Sequence, residues 1–191
     1  MDSSLPLMYG WVRRTRERLF EYTETLPTAV YVQDQPGLPA SSLRDIHAHV
    51  ANMYLWWVGR YGLGVEPYQQ QLDALSPTEL ATHALRTETI IALEQAETLR
   101  LTDVSAVRSK FLEVDALLER AFETFDQLDQ PFEVTRASGR RTVVTRRWIL
   151  MSNMLHEFHH KGQMLAFGRA LGYPLPDDLE TDLVLPQIRE E

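Results

Sequence analysis

Three of the six histidines in this sequence lie in the segment LHEFHHKGQ, at positions 156, 159 and 160. In a helix, His156 and His160 share one face, because residues four apart are separated by only about 40° around the helix axis. Large or apolar residues mark that face as inward-facing, namely Ile149, Gln163 and Phe167. Two neutral imidazoles in this register can bind one divalent metal ion. The spacing therefore indicates a metal site, with hydrogen-bonded core histidines as the alternative.

A third ligand is expected on the second predicted helix, which carries His47 and His49. Both lie about 80° from the centre of the apolar face of that helix, on opposite sides. That face is formed by Ile46, Val50, Met53 and Trp57. Helical periodicity therefore leaves both histidines open as ligands. His159 is turned about 60° to 100° away from His156 and His160 around the last helix. We expect it to flank the site or to pack near Trp148. His83 is expected at the surface.

The same segment contains the pattern H-E-x-x-H, from His156 to His160, which is a signature of zinc proteases. In such proteases the glutamate, here Glu157, is the general base. These enzymes also need a third ligand and a substrate-aligning strand beside the helix. The sequence before His156 is almost entirely helical in pattern, and Glu180 is the late candidate for a third ligand. Because Glu157 projects about 100° away from its ligand neighbour, we expect it not to act as a base.

Helical periodicity dominates the sequence and predicts an all-α fold. Four long amphipathic helices are typical of a four-helix bundle, and they are placed at about residues 8–26, 42–60, 104–125 and 145–171. An extra, partly exposed helix is expected from the start signal Ser76-Pro77-Thr78-Glu79 to about residue 98. The residues around Ser138-Gly139 alternate or are β-branched, which predicts a short hairpin or extended loop before the last helix.

Local patterns add three details to these elements. Ser42 with Asp45 three residues later is a capping-box pattern for the second helix. The basic run RRTRER, residues 13–18, lies mainly off the apolar stripe of the first helix and is interpreted as a solvated face. The extra helix has only a thin apolar stripe, formed by Leu80, Ala84, Thr87 and Ile91.

The composition excludes several classes of protein. The 191 residues include no cysteine, so disulfide scaffolds, thiolate metal sites, iron–sulfur clusters and a cysteine nucleophile are ruled out. The net charge of −8 argues against a nucleic-acid partner. No apolar run approaches the ~20 residues of a membrane span, and no secretory signal is recognised at the start. We expect one cytoplasmic domain over residues 1–191 with an exposed polar hairpin that carries Arg136, Arg140, Arg141, Arg146 and Arg147.

Two segments resemble the DinB-like family of metal-binding four-helix bundles. They are HVANMYLWW, which begins at His49, and HEFHHKGQ, from His156 to Gln163. In that family one histidine precedes an apolar run with a downstream tryptophan, and two more, four apart, precede a basic-Gly-Gln triplet. The resemblance implies that His49, rather than His47, joins His156 and His160 as the metal ligands. It also implies an up-down-down-up bundle and a homodimer.

A site with three neutral imidazoles keeps at least one metal position open, and an open position lowers the pKa of a bound water or thiol. Zinc, nickel, cobalt and iron(II) all suit this ligand set. Characterised relatives use low-molecular-weight thiols, so the resemblance implies a thiol-dependent S-transferase that acts on a small electrophile. The alternatives are a metal-dependent hydrolase and a damage- or stress-related binding protein with a structural metal or no metal.

Further side chains are expected to support the three ligands. Gln163 lies one turn beyond His160 and can orient its imidazole through a hydrogen bond, with His159 beside it. Four aromatic residues either line a cleft beside the metal or, as we expect for most of them, pack between helices, namely Tyr54, Trp56, Trp57 and Trp148.

Overall fold

The computed structural model describes residues 3–36, 42–78, 80–179 and 183, and within them the chain is mostly helical. The α-helices are, in chain order, α1 (Ser4–Glu24), α2 (Thr28–Val32), α3 (Leu43–Tyr54), α4 (Gln69–Asp73), α5 (His83–Arg100), α6 (Val104–Thr124) and α7 (Arg146–Ala170). A π-helix (Leu55–Leu63) continues α3, and a 3-10 helix covers Asp177–Leu179. In this described part, none of the helices is both long and apolar enough to cross a bilayer.

The predicted start of α3 at a capping serine and the predicted start of α6 near residue 104 are both confirmed. The Ser42 hydroxyl accepts a hydrogen bond of 3.1 Å from the backbone N–H of Asp45, which caps α3. Asp103 caps α6 through the N–H of Ala106. The last helix is capped in the same way, by Thr145, and is preceded by two antiparallel strands, β1 (Phe132–Thr135) and β2 (Arg141–Val144). The hairpin expected around Ser138-Gly139 is therefore present.

The extra helix begins later than the sequence pattern predicted. α5 starts at His83 and is capped by Thr82, whose hydroxyl accepts from the N–H of Leu85 at 3.1 Å. Ser76 to Thr78 lie outside any helix, and Glu79 lies outside the described residues. The buried face of α5 is formed by Thr87 and Ile90, whereas the predicted Ile91 is 39% exposed. The helix is therefore capped by Thr82, which is close to the apolar residues of α5, and not by the predicted Ser76.

The second predicted helix extends beyond its expected end near residue 60. The π-helix carries it to Leu63, where Gly64 adopts a left-handed conformation with φ of 68° and ends it. The wider turn of a π-helix brings residues four and five apart onto one side. Tyr61 consequently lies against both Trp57 and Trp56, with ring centroids 5.2 and 6.1 Å apart.

The long helices pack around one large apolar core. α1 and α6 run in opposite directions, because Tyr9 contacts Phe122 and Phe20 contacts Phe111. α1 and α7 run in the same direction, because Arg16 pairs with Glu157 and the backbone of Gly168 lies against the Tyr22 hydroxyl.

α3 lies between α6 and α7. It runs antiparallel to α7, since His49 faces the His156 and His160 rings while Trp57, further along the continuous helix, contacts Trp148. Because α3 and α7 pack against each other, His49 lies next to His156 and His160.

Candidate metal centre

Three histidines from two helices converge at one point. α3 contributes His49, and α7 contributes His156 and His160, and one ring nitrogen from each lies within 4.8 Å of the others. The Nε2 atoms of His156 and His160 are 3.0 Å apart. The His49 ring centroid lies 5.1 and 5.0 Å from the centroids of those two rings. The cluster includes the pair in i, i+4 register that the sequence indicated, and it is compatible with a divalent metal ion.

The electrostatic environment keeps these imidazoles in the form that a metal requires. Burial lowers the pKa of His156 to about 4, with the neighbouring histidines contributing in the same direction. Burial also lowers the pKa values of His49 and His160, although Glu94 opposes the change at His49 and the Gln163 hydrogen bond opposes it at His160. All three rings are therefore neutral at pH 7, with lone pairs available for a metal ion.

Gln163 connects two of the histidines on α7. Its Oε1 lies 2.8 Å from Nδ1 of His160, and its Nε2 lies 3.0 Å from Nε2 of His159. When Gln163 accepts the hydrogen of Nδ1, the Nε2 atom of His160 carries the free lone pair and points at the cluster. His159 is exposed and flanks the cluster, and Trp148 packs instead against Trp57 at 5.2 Å. The donor set and its hydrogen-bonded support therefore fit a divalent ion.

The two histidines of α3 have separate environments. His47 is buried in the core, where its Nδ1 lies 2.8 Å from the Tyr31 hydroxyl and its ring contacts Phe20 and Phe111. Burial, together with the positive charge of Arg16, lowers the pKa of His47 to about 3. His47 thus faces the core, away from the cluster that contains His49. His83 is exposed at the start of α5.

Glu157 points away from the histidines and into a buried ionic network. Its carboxylate accepts hydrogen bonds from Arg16, at 2.7 and 3.0 Å, and from the Tyr54 hydroxyl at 2.8 Å. Arg16, only 5% exposed, also pairs with Asp115 at 2.8 Å. The expectation that the whole basic run of α1 is solvated is therefore wrong at Arg16. The sequence alone gave no signal for this, because the two acidic partners come from α6 and α7.

The same network removes the general base that a zinc protease would need. Both oxygens of Glu157 are engaged by buried donors, so turning the carboxylate towards the histidines would break its hydrogen bonds to Arg16 and Tyr54 and leave Arg16 with Asp115 alone. Glu180, the candidate late ligand, lies outside the described residues. The H-E-x-x-H pattern here therefore combines two cluster histidines with a glutamate that links helices.

A cavity of about 220 Å³, here called the aromatic cavity, lies beside the cluster. It is lined by Met53, Trp56, Trp57, Tyr61, Ile91, Glu94, Arg136 and Ala137. Met53 is one turn beyond His49 on α3, and Glu94 acts electrostatically on His49, so the cavity begins next to that histidine. Trp56 and Trp57 thus line a cleft, whereas Tyr54 lies in the core. The sequence did not predict that Glu94 and Arg136 line this cavity, because neither position follows from helical periodicity.

Comparison with known proteins agrees with this arrangement. The sequence matches the profile of the DinB family over residues 1–187, and the chain belongs to that family. It is also similar to the uncharacterized protein YjoA of Bacillus subtilis (strain 168), with 37% identity over 73 residues. That aligned stretch covers 38% of this chain and 45% of YjoA, less than half the length of the relative.

Proposed function

We propose that this protein is a metal-dependent enzyme that transfers a low-molecular-weight thiol to a small electrophile. The observation that carries the proposal is the convergence of three neutral imidazoles within 4.8 Å of one another, a group in which the described part of the chain includes no carboxylate. A neutral ligand set preserves the positive charge of a divalent ion, and three protein ligands leave a position for substrate. The chain has no cysteine to occupy that position.

The residues of the chain have distinct roles in this reaction. His49, His156 and His160 hold the ion, and Gln163 fixes the ring of His160. When bound, a divalent ion supplies the Lewis acidity that lowers the pKa of a thiol or of water. The thiol loses its proton to solvent, its sulfur forms a bond to the electrophilic carbon, and the leaving group departs with the electron pair of the bond that breaks. The aromatic cavity holds the electrophile.

The test begins with elemental analysis of the purified protein and continues with a screen of small thiols against an aryl chloride. We expect about one divalent ion per site and thioether formation that matches chloride release. In His49→Ala both the ion and the activity are lost. Chloride release that continues without added thiol would contradict the transferase proposal and favour a metal-dependent hydrolase. A loaded protein that forms no thioether with any tested thiol would contradict the proposal and favour a binding role.

We further propose that the four long helices form an up-down-down-up bundle within a single domain. The proposal is supported by the directions of α1, α3, α6 and α7, in which the first and last run one way and the middle two run the other. Family membership over residues 1–187 supports the single domain.

A homodimer is also proposed. Its support is an apolar patch on the outer faces of α1 and α7, formed by side chains that are between 36% and 57% exposed, namely Leu7, Trp11, Met151 and Leu155. Each helix contributes two residues four apart, and the two helices lie side by side in the same direction. An isologous contact between two copies of this patch would cover it.

A further inference from the structure

We propose that the aromatic cavity selects an electrophile that bears an anionic group, and that Arg136 is the residue that binds this group. The inference rests on the proposed function for the identity of the cavity as the electrophile site. Its own basis is the placement of Arg136 at the wall of the cavity, against the ring of Trp57.

Arg136 differs from its neighbours in the basic hairpin. Arg141 pairs with Glu133, Arg146 with Asp126 and Arg147 with Asp129. Among the residues that the structure describes, Arg136 and Arg140 form no such ion pair. Of these two, only Arg136 lines the cavity. The hairpin thus leaves one uncompensated guanidinium at the cavity wall.

Arg136 is held at this position by aromatic contacts. Its guanidinium carbon lies 5.8 Å from the centroid of the Trp57 ring, within the range of a cation–π interaction. The adjacent backbone of Ala137 hydrogen-bonds to the Tyr61 hydroxyl, which ties the hairpin turn to the π-helix. A planar guanidinium placed in this way can bind a carboxylate or phosphate through two parallel hydrogen bonds.

The charges around the cavity favour an anion once the metal is bound. Glu94 is the acidic lining residue, and its Oε2 already accepts a hydrogen bond of 2.9 Å from the Trp56 indole. A divalent ion on three neutral imidazoles adds two positive charges beside Glu94, so the site as a whole is positive. The aromatic walls, Trp56, Trp57 and Tyr61, suit a flat apolar body whose anionic group reaches Arg136. The substrate class is therefore a small planar molecule with a carboxylate or phosphate group.

The inference is tested with three probes that share a phenylpropyl frame and carry different charges: 3-phenylpropanoate, the neutral 3-phenylpropanamide and the cation 3-phenylpropylammonium. Binding to the zinc-loaded and the metal-free protein is followed by tryptophan fluorescence excited at ~295 nm, where the probes do not absorb. We expect the anion to bind at least about fivefold more tightly than the amide, as one partly exposed charge-assisted contact would provide. The cation is expected to bind most weakly to the loaded protein.

Variants of the hairpin assign the effect to one residue. In the loaded protein Arg136→Ala should lower the preference for the anion over the amide by at least about fivefold, leaving only the contribution of the bound ion. Arg140→Ala, a matched exposed arginine in the same turn, should leave the preference unchanged. The inference is overturned if Arg136→Ala retains the full preference of the parent for the anion, if the cation binds most tightly, or if the anion does not bind saturably. Because these are binding measurements, they remain interpretable even if thiol transfer is absent, and loss of metal in His49→Ala tests the proposed function separately.

Discussion

His47 and His49 lie only two positions apart on α3, but their side chains point in different directions, and we expect only His49 to bind a metal ion. His49→Ala removes a ring nitrogen from the cluster, and we expect it to lower metal affinity by more than about tenfold. His47→Gln retains a hydrogen-bonding partner for Tyr31 and lies away from the cluster, so its metal content should match that of the parent protein. Elemental analysis after dialysis measures both. Metal loss in His47→Gln with retention in His49→Ala would reverse the assignment.

The residues of the cluster were largely predictable from the sequence. The i, i+4 spacing identified His156 and His160, and the match of HVANMYLWW to the family selected His49. The spacing could not decide between His47 and His49, since both lie at the edges of the apolar face. The burial of Arg16 was not predictable, because it depends on acidic groups that are distant in the sequence, on α6 and α7.

Glu157 is expected to matter for stability rather than for proton transfer. In Glu157→Gln the buried Arg16 loses one of its two carboxylate partners and keeps Asp115, and losing a charge-assisted hydrogen bond of this kind typically costs about 1.5–3 kcal/mol. The metal should remain bound to the folded variant. Urea denaturation and metal analysis measure the two properties. Glu119→Gln, whose side chain is 64% exposed and pairs with Arg13, is the matched control and should cost less than about 1 kcal/mol.

A folded Glu157→Gln protein that keeps its metal and full stability but loses activity would contradict this assignment. It would restore the glutamate as a general base and favour a hydrolase.

The pKa of His47 leads to a prediction about pH. It is about 3 in the folded protein and about 6.5 when unfolded, so between these values the unfolded chain holds more protons. The contribution of His47 to stability is thus fully present above about pH 6.5. It is lost as the pH falls, by up to about 1.4 kcal/mol per pH unit. In urea denaturation at pH 7 and pH 5 without metal, His47→Phe should lose less stability than the parent. Equal losses would contradict the prediction.

At the scale of elements, the sequence predicted long helices better than their junctions. The start of α3 was predicted correctly from its capping serine, and the start of α6 was predicted correctly from its apolar periodicity. The predicted start of α5 was wrong. Ser76-Pro77 has the residue types of a helix start, but the residues that follow it directly do not form an apolar face. The π-helix was missed because its wider turn differs from the 3.6-residue period used to recognise helices. The feature of the sequence that marks this segment as unusual is its closely spaced glycines, at positions 59, 62 and 64.

The π-helix depends on a close approach to Phe125, the residue that follows α6. A Cβ atom added at Gly62 would lie 2.7 Å from Cζ of the buried Phe125 ring. Gly62→Ala should therefore cost about 1–3 kcal/mol through overpacking. Gly10→Ala is the control, because a Cβ on that helical residue meets nothing within 4 Å and should stabilise α1 by about 0.5–1 kcal/mol. Thermal unfolding compares the two, and an equal effect of both substitutions would contradict the packing argument.

At the scale of the whole molecule, the apolar patch on α1 and α7 provides the test of the homodimer. Leu7→Glu places a charge within the patch, at a position remote in sequence from the histidines, and should shift the protein to a monomer at micromolar concentration. Leu112→Glu is the control, since Leu112 is a similarly exposed leucine on α6 and outside the patch. Sedimentation velocity measures both variants. A parent protein that sediments as a monomer would remove the proposal.

The three histidines also connect segments of the chain that are far apart in sequence, residue 49 on α3 and residues 156 and 160 on α7. An ion held only by the folded protein would act as a reversible cross-link between them. Because such a link is absent from the denatured chain, it would stabilise the fold through mass action, by about 2.7 kcal/mol at a free metal concentration about 100 times the dissociation constant. A chelator would then lower the free energy of unfolding to that of the metal-free protein.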